Sequence, residues 1–137
     1  MENARFLSRP EHNDHNRCFF GAFQGEQLVS VVRLSRSSAP NEQHRAYLAG
    51  LYVLPAFRRN GCGRALVRQA LNRAANLLGA RRVNLTVVTH QEAAIRLYQS
   101  LGFRIYGTEQ ETFSRDGCFY DEHLMTLELM TNDDHKA

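Results

Sequence analysis

The run RRNGCGRAL, Arg58 to Leu66, sets two glycines one residue apart among arginines and leads into an apolar-periodic segment. A helix N-terminus carries unpaired N–H groups and about half a positive charge from its dipole, so it binds anions when nothing blocks their approach. Gly61 and Gly63, lacking a Cβ, allow tight backbone to close on a phosphate, while Arg58, Arg59 and Arg64 add charge and forked donors. The loop therefore reads as a pyrophosphate cradle. It is not a P-loop, which needs GxxxxGK followed by Ser or Thr. Nor is it a dinucleotide fingerprint, which needs a third glycine and an acid about 20 residues on. On spacing alone, a strand-to-helix turn with solvated arginines fits the same residues.

The positive charge is concentrated. Net charge is +3, and Lys136 is the only lysine. From Leu54 to Gln91 there is no acid, whereas Arg58, Arg59, Arg64, Arg68, Arg73, Arg81 and Arg82 all fall there. Such a block suits a phosphate-bearing partner. Aromatic residues do not alternate with these arginines as base-stacking platforms would, so no nucleic-acid partner is expected. The three cysteines, Cys18, Cys62 and Cys118, are odd in number and far apart. They fit neither a disulfide framework nor a CxxC motif and read as free thiols in a reducing compartment. HNDHN, His12 to Asn16, has two histidines in a polar leader without further ligands and reads as solvated, not as a metal site.

These residues need elements to position them. A chain of 137 residues is one domain, divided here into a leader 1–17, a core 18–130 and a tail 131–137. No apolar run approaches the roughly 20 residues of a membrane span, and the N-terminus has no continuous apolar stretch of the secretory kind. A cytoplasmic protein with no membrane partner is expected. CFFGAF (18–23) and LVSVVRL (28–34) read as a β-hairpin about Gln24-Gly25-Glu26. A polar loop with Pro40 precedes the strand Ala46 to Val53, which Pro55 ends. From Gly61, Leu66, Ala70, Leu71, Ala74, Leu77 and Leu78 recur at helical spacing up to Gly79. Val83 to Val88 reads as a buried strand. Ala94, Leu97, Tyr98 and Leu101 mark a second helix closed by Gly102. Phe103 to Gly107 and Phe119 to Leu129 read as strands joined by a polar stretch with the turn Asp116-Gly117. The order predicts an α/β (α+β) fold: one mixed, mostly antiparallel sheet of about six strands flanked by helices.

VLPAFRRNGCGRAL, Val53 to Leu66, resembles the acetyl-CoA loop of the GNAT superfamily of N-acetyltransferases. That loop has Gln or Arg, two variable residues, Gly, one more, then Gly or Ala, between a strand ending near V-x-P and a long helix. Arg58, Gly61 and Gly63 fill its defined positions. AAIRLYQSLGF, Ala93 to Phe103, resembles the A-x-x-L-Y-x-x-x-G-F segment of the same superfamily, and the likeness extends over roughly Phe19 to Leu129. It implies an enzyme moving the acetyl group of acetyl-CoA, as co-substrate and without a metal, to a primary amine of a small molecule or peptide by direct attack in a ternary complex. The backbone of Leu51, Tyr52 and Val53 would hold the pantetheine arm. The amides of Arg59, Asn60, Gly61, Cys62, Gly63 and Arg64 would hold the pyrophosphate. Gln91, Ala94 and Tyr98 would lie against the cofactor, with Tyr98 protonating the departing thiolate. Cys62 reads as a small core side chain.

The resemblance is incomplete. Gly50 stands near where many relatives carry a glutamate base, and no carboxylate lies between Glu42 and Glu92. His44, His90, Glu109 and Glu111 are base candidates by residue type only. Relatives usually place a strand and two helices before the hairpin that here begins at Cys18. Their absence would leave the strand 18–23 an unprotected edge, which a homodimer could cover while completing the acceptor site. The alternatives are a catalytically weak or inactive CoA-binding remnant and, ranked below it, a nucleic-acid-binding module using the arginine block.

Overall fold

The computed structural model describes residues 3–6, 17–76 and 79–129. Strands β2 (Arg17–Gln24) and β3 (Gln27–Arg36) form the expected hairpin about Gly25 and Glu26. β4 (Arg45–Val53) follows, then helix α1 (Cys62–Asn76), β5 (Arg82–Val88) and helix α2 (Glu92–Ser100). β6 (Arg104–Arg115) and β7 (Cys118–Glu128) close the chain as a long hairpin. With β1 (Asn3–Phe6) they make one seven-stranded sheet, in the order β1-β2-β3-β4-β5-β7-β6. Only β4 and β5 run parallel; every other pairing is antiparallel. The α/β fold class is the one expected.

Two boundaries differ from the sequence reading. β1 lies in the stretch read as a leader and pairs with β2 from Asn3↔Phe23 to Phe6↔Phe20. The outer edge of β2 is therefore hydrogen-bonded within the chain, and the physical motive for a dimer covering it falls away. Four residues are too few to show the alternation that marks a strand. β6 runs on through the polar stretch read as a connection, because its ladder to β7 continues past two bulges as far as Arg115↔Cys118. Nearly all of its side chains are exposed, so no apolar pattern advertised it. The Asp116-Gly117 turn is as expected, both residues at positive φ as a two-residue hairpin turn requires.

Apolar periodicity in α1 has its predicted consequence. Cys62, Gly63, Leu66, Val67, Ala70 and Ala74 are buried along one stripe, which packs against β2, β3 and β4. Facing it are alternate residues of the sheet: Cys18, Phe20 and Ala22, then Val32 and Leu34, then Ala46 and Leu48. Each fully buried Leu or Val contributes about 1.5–3 kcal/mol of transfer free energy, which anchors the N-terminus of α1 in place. Leu77 and Leu78, read as the end of this stripe, lie outside the described residues. The opposite sheet face is open among the described residues, with Phe19 36 %, Tyr47 36 % and Tyr52 50 % exposed. No helix of the described residues is long and apolar enough to cross a membrane.

Candidate active site

The parallel pair β4–β5 is short. It holds only at Arg45↔Arg82, Ala46↔Val83 and Tyr47↔Asn84. Beyond that point β4 stays paired with β3 as far as Val53, and β5 stays paired with β7 as far as Val88. The two strands therefore part, and the edges from Leu48 and from Leu85 face each other as the arms of a fork. An extended chain with alternating donors and acceptors can add to such an edge as a strand.

Gly50 shapes one arm. It has φ +68, and the register slips between Val31 and Arg33, so β4 carries a bulge there. The bulge resets the alternation, turning Leu51 and Val53 toward α1 while Tyr52 stays outside. A side chain at position 50 would be strained whatever the space around it.

The glycine loop lies at the end of the same arm, and its two glycines have different functions. Gly61 has φ +87 with open space where a Cβ would be, so it serves the turn. Gly63 faces the protein: a Cβ would meet Val53 Cγ2 at 3.3 Å and Leu97 Cδ2 at 3.6 Å. Its role is close packing of α1 on β4 and α2, not clearance for a phosphate. The first helical hydrogen bond runs from Ala65 N–H to Gly61 C=O at 3.0 Å, so the amides before Ala65 have no acceptor within the helix. Asn60 Oδ1 takes the Cys62 N–H at 3.2 Å. The amides of Gly63 and Arg64 stand at the positive end of a 15-residue helix dipole, an arrangement that favours anions.

The arginines divide in the same way. Arg58 Nε donates to Val53 C=O at 2.8 Å, and its guanidinium lies 5.4 Å from the Tyr52 ring centroid, which pins the loop to β4. Arg64 is turned away from the loop: its guanidinium donates to Ser100 Oγ and, at 3.4 Å, to Ser100 C=O. The side chain ties the first turn of α1 to the last turn of α2, so its donors are engaged there and not at the loop. Arg59 is exposed at φ 66 in the loop itself.

The α2 residues flank the fork. Gln91 is the exposed N-cap, its C=O accepting from Ile95 N–H at 3.0 Å, and Ala94 is half-buried against the core. Tyr98 is 8 % exposed and packs edge-on to Phe103 at 5.7 Å between centroids. Burial pushes its phenol up to about 12. Burial also pushes the Cys62 thiol up, only partly offset by the neighbouring Ser30 hydroxyl. Ser30 Oγ itself makes no hydrogen bond of ordinary geometry, so the two are neighbours and not a bonded pair. Cys62 is a core side chain and no nucleophile.

The other face of the fork holds a cleft of about 180 Å³ at its closed end, between β4, β5, β6 and β7. Tyr47, Asn84, Thr86, Tyr106 and Leu124 line it, residues the sequence reading did not single out. The only available signal was that Asn84 and Thr86 are the polar members of an otherwise apolar strand. Of the base candidates, His44 sits at the closed end, where its C=O accepts from Arg81 and Arg82 N–H. His90 is exposed and packs against Tyr120 with its ring tilted by 54°, 5.0 Å between centroids. Glu111 occupies a β6 bulge with its N–H bonded to Asp121 Oδ1, and Glu109 pairs in register with Glu122. Strand alternation puts Glu122 on the same face of β7 as Leu124 and Thr126. No group of three or more metal-binding side chains occurs among the described residues.

The chain has relatives among known proteins. The family model described as Acetyltransferase (GNAT) family matches residues 2–103. The chain is 28 % identical over 125 residues to the L-amino acid N-acetyltransferase AaaT of Escherichia coli, covering 91 % of this chain and 74 % of that one. An acetyltransferase of the GNAT family from Streptococcus pneumoniae superposes with a TM-score of 0.78 at 28 % identity, over 85 % of this chain and 69 % of its own. The yncA protein of Salmonella typhimurium, whose structure holds its cofactor acetyl-CoA, has the same fold, with a TM-score of 0.77 at 20 % identity, over 86 % and 68 % of the two chains. This chain belongs to the GNAT family of acetyltransferases.

Proposed function

We propose that the protein moves the acetyl group of acetyl-CoA to a primary amine of a small molecule or peptide, by direct attack in a ternary complex. The observation that carries this reading is the fork whose one arm leads to the first turn of α1, where the amides before Ala65 have no acceptor within the helix. The open edge at Leu51, Tyr52 and Val53 would take the pantetheine amides. The N–H groups from Arg59 to Arg64, apart from the Cys62 N–H that Asn60 Oδ1 takes, would hold the pyrophosphate. Acetyl-CoA supplies the activated thioester; the chain supplies position and an amide for the developing oxyanion. The amine would approach over β7, where we assign as proton acceptor Glu122, which lies beyond the cleft lining and accepts from Thr112 Oγ1 at 2.7 Å.

Tyr98 is best suited to stabilise the leaving sulfur as a hydrogen-bond donor. With its phenol at about 12 it stays protonated through the working range. A phenol held this high gives up its proton less readily than a free one, which favours donation over complete protonation. The arginine block has work inside the protein, since Arg58 and Arg64 are bonded to Val53 and Ser100; this supports the reading without a nucleic-acid partner.

The test is thermal unfolding with acetyl-CoA, followed by thiol release across an amine panel. Ligand at 100 times its dissociation constant stabilises the native state by about 2.7 kcal/mol. A folded protein that acetyl-CoA does not stabilise refutes the reading. Stabilisation without thiol release for any amine leaves a CoA-binding relative. Glu122→Gln should lower kcat at least tenfold if the assignment is right.

A further inference from the structure

The cleft at the closed end of the fork has a polar floor of defined direction. Arg82 Nη1 donates to Thr126 Oγ1 at 2.9 Å, and the Thr126 and Asn84 side chains lie 2.6 Å apart at Oγ1 and Oδ1. The Thr126 hydroxyl, which accepts from Arg82, donates in turn to Asn84 Oδ1. The carbonyl oxygen of Asn84 is thereby engaged within the relay, and its amide nitrogen keeps both protons for other partners. Asn84 is 8 % exposed and Thr126 4 % exposed, yet Asn84 still borders the cleft. A buried relay with a cation at its far end thus offers N–H donors to whatever fills the space.

The walls are of the opposite character. Tyr47, Leu48, Tyr106 and Leu124 surround the floor with aromatic and aliphatic surface, and no carboxylate is among the residues lining the cleft. Donors on the floor and no acid on the walls are the reverse of what a polycation needs. They suit a ligand that brings an oxygen acceptor to Asn84 and an apolar group to the tyrosines. At about 180 Å³ the space is that of one small molecule or one residue, and it opens onto the fork where the thioester would lie.

We infer that the acceptor is an α-amino compound with an apolar or aromatic side chain, its carbonyl or carboxylate oxygen held by the Asn84 amide. The inference rests on the acetyl-transfer reading for its chemistry. The shared recognition element is an amine next to a C=O, which a free amino acid and the first residue of a peptide both carry.

The experiment measures thiol release from acetyl-CoA with the full chain, comparing L-phenylalanine, the dipeptide Phe-Gly, phenethylamine and spermidine. The α-amino compounds should exceed phenethylamine in kcat/KM by roughly 10- to 100-fold, the range of one hydrogen bond to a charged or strongly polar group. Preference for the free acid would identify amino acids, and preference for the dipeptide would identify peptide N-termini; either supports the inference. Asn84→Asp keeps the acceptor for Thr126 but replaces the donor facing the cleft with an oxygen. It should reduce the phenylalanine to phenethylamine ratio at least tenfold. Should that variant fail to fold, Tyr106→Ala at a 49 % exposed position should erase the preference for phenylalanine over alanine. Equal or better turnover of phenethylamine or spermidine overturns the inference. If no amine is turned over, thermal shifts by the same compounds in the presence of CoA decide it: absence of a phenylalanine shift larger than that of phenethylamine overturns it. Failure of acetyl-CoA itself to stabilise the chain marks the failure of the acetyl-transfer reading instead.

Discussion

Gly61→Ala and Gly63→Ala should both destabilise the protein, for reasons that a second substitution separates. At Gly61 the cost is backbone strain: an L-residue at φ +87 loses about 1–2 kcal/mol, with nothing within 4 Å to relieve or worsen it. At Gly63 the cost is crowding. The new methyl would sit 3.3 Å from Val53 Cγ2, 3.6 Å from Leu97 Cδ2 and 3.9 Å from Leu51 Cδ2. Overpacking of this kind costs about 1–3 kcal/mol. Alanine in place of glycine in a helix returns up to about 1 kcal/mol, so the net loss is about 0–2 kcal/mol. Val53→Ala removes the closest atom. In a double-mutant cycle by urea denaturation, Val53→Ala should recover about 1 kcal/mol of the Gly63→Ala loss and none of the Gly61→Ala loss. Additivity of Gly63→Ala with Val53→Ala would refute the packing role, and coupling of Gly61→Ala with Val53→Ala would refute the purely conformational one.

Three further outcomes are expected. Tyr98, with its phenol at about 12 in the native state against 10.0 ordinarily, binds its proton more tightly folded than unfolded. Its contribution to stability is complete below pH 10 and is lost as pH rises toward 12, at no more than about 1.4 kcal/mol per pH unit; Tyr98→Phe should remove that part of the slope in alkaline denaturation. Arg64→Ala and Ser100→Ala should be coupled by about 0.5–1 kcal/mol in stability, because the guanidinium spans the two helix ends. Arg64→Ala should leave the salt dependence of acetyl-CoA binding close to that of the parent, since the side chain is not directed at the loop. Among the thiols, exposed Cys118 should react with a maleimide in the native state, while buried Cys18 and Cys62 should react only after unfolding; rapid native labelling of Cys62 by mass spectrometry would contradict its place in the core.

What the sequence determined by itself is local. The apolar stripe of α1, the Asp116-Gly117 turn, the end of β4 before Pro55 and the glycine loop between them are all consequences of residues within a few positions of one another. Their backbone preferences and periodicity survive whatever packs around them. The resemblance of that loop and of the Tyr98 segment to GNAT sequences also lay in short, contiguous motifs. Strand content that depends on pairing was not legible in this way. β1 is too short to show a pattern, and the second half of β6 is mostly polar and exposed, so each extends as far as a neighbouring strand supplies its hydrogen bonds.

The division of labour within the site was decided only by tertiary structure. Gly61 and Gly63 are equivalent as letters, and only the neighbours of a hypothetical Cβ show that one serves the turn and the other the packing of α1. Arg58 and Arg64 carry the same charge, yet each finds its acceptor on another element, Val53 on β4 and Ser100 on α2. The cleft is the extreme case. Tyr47, Asn84, Tyr106 and Thr126 are spread over four strands, and no spacing rule connects them. They meet because β4 and β5 part after Tyr47↔Asn84 while β7 stays paired with β5, a consequence of sheet register that no stretch of the sequence contains.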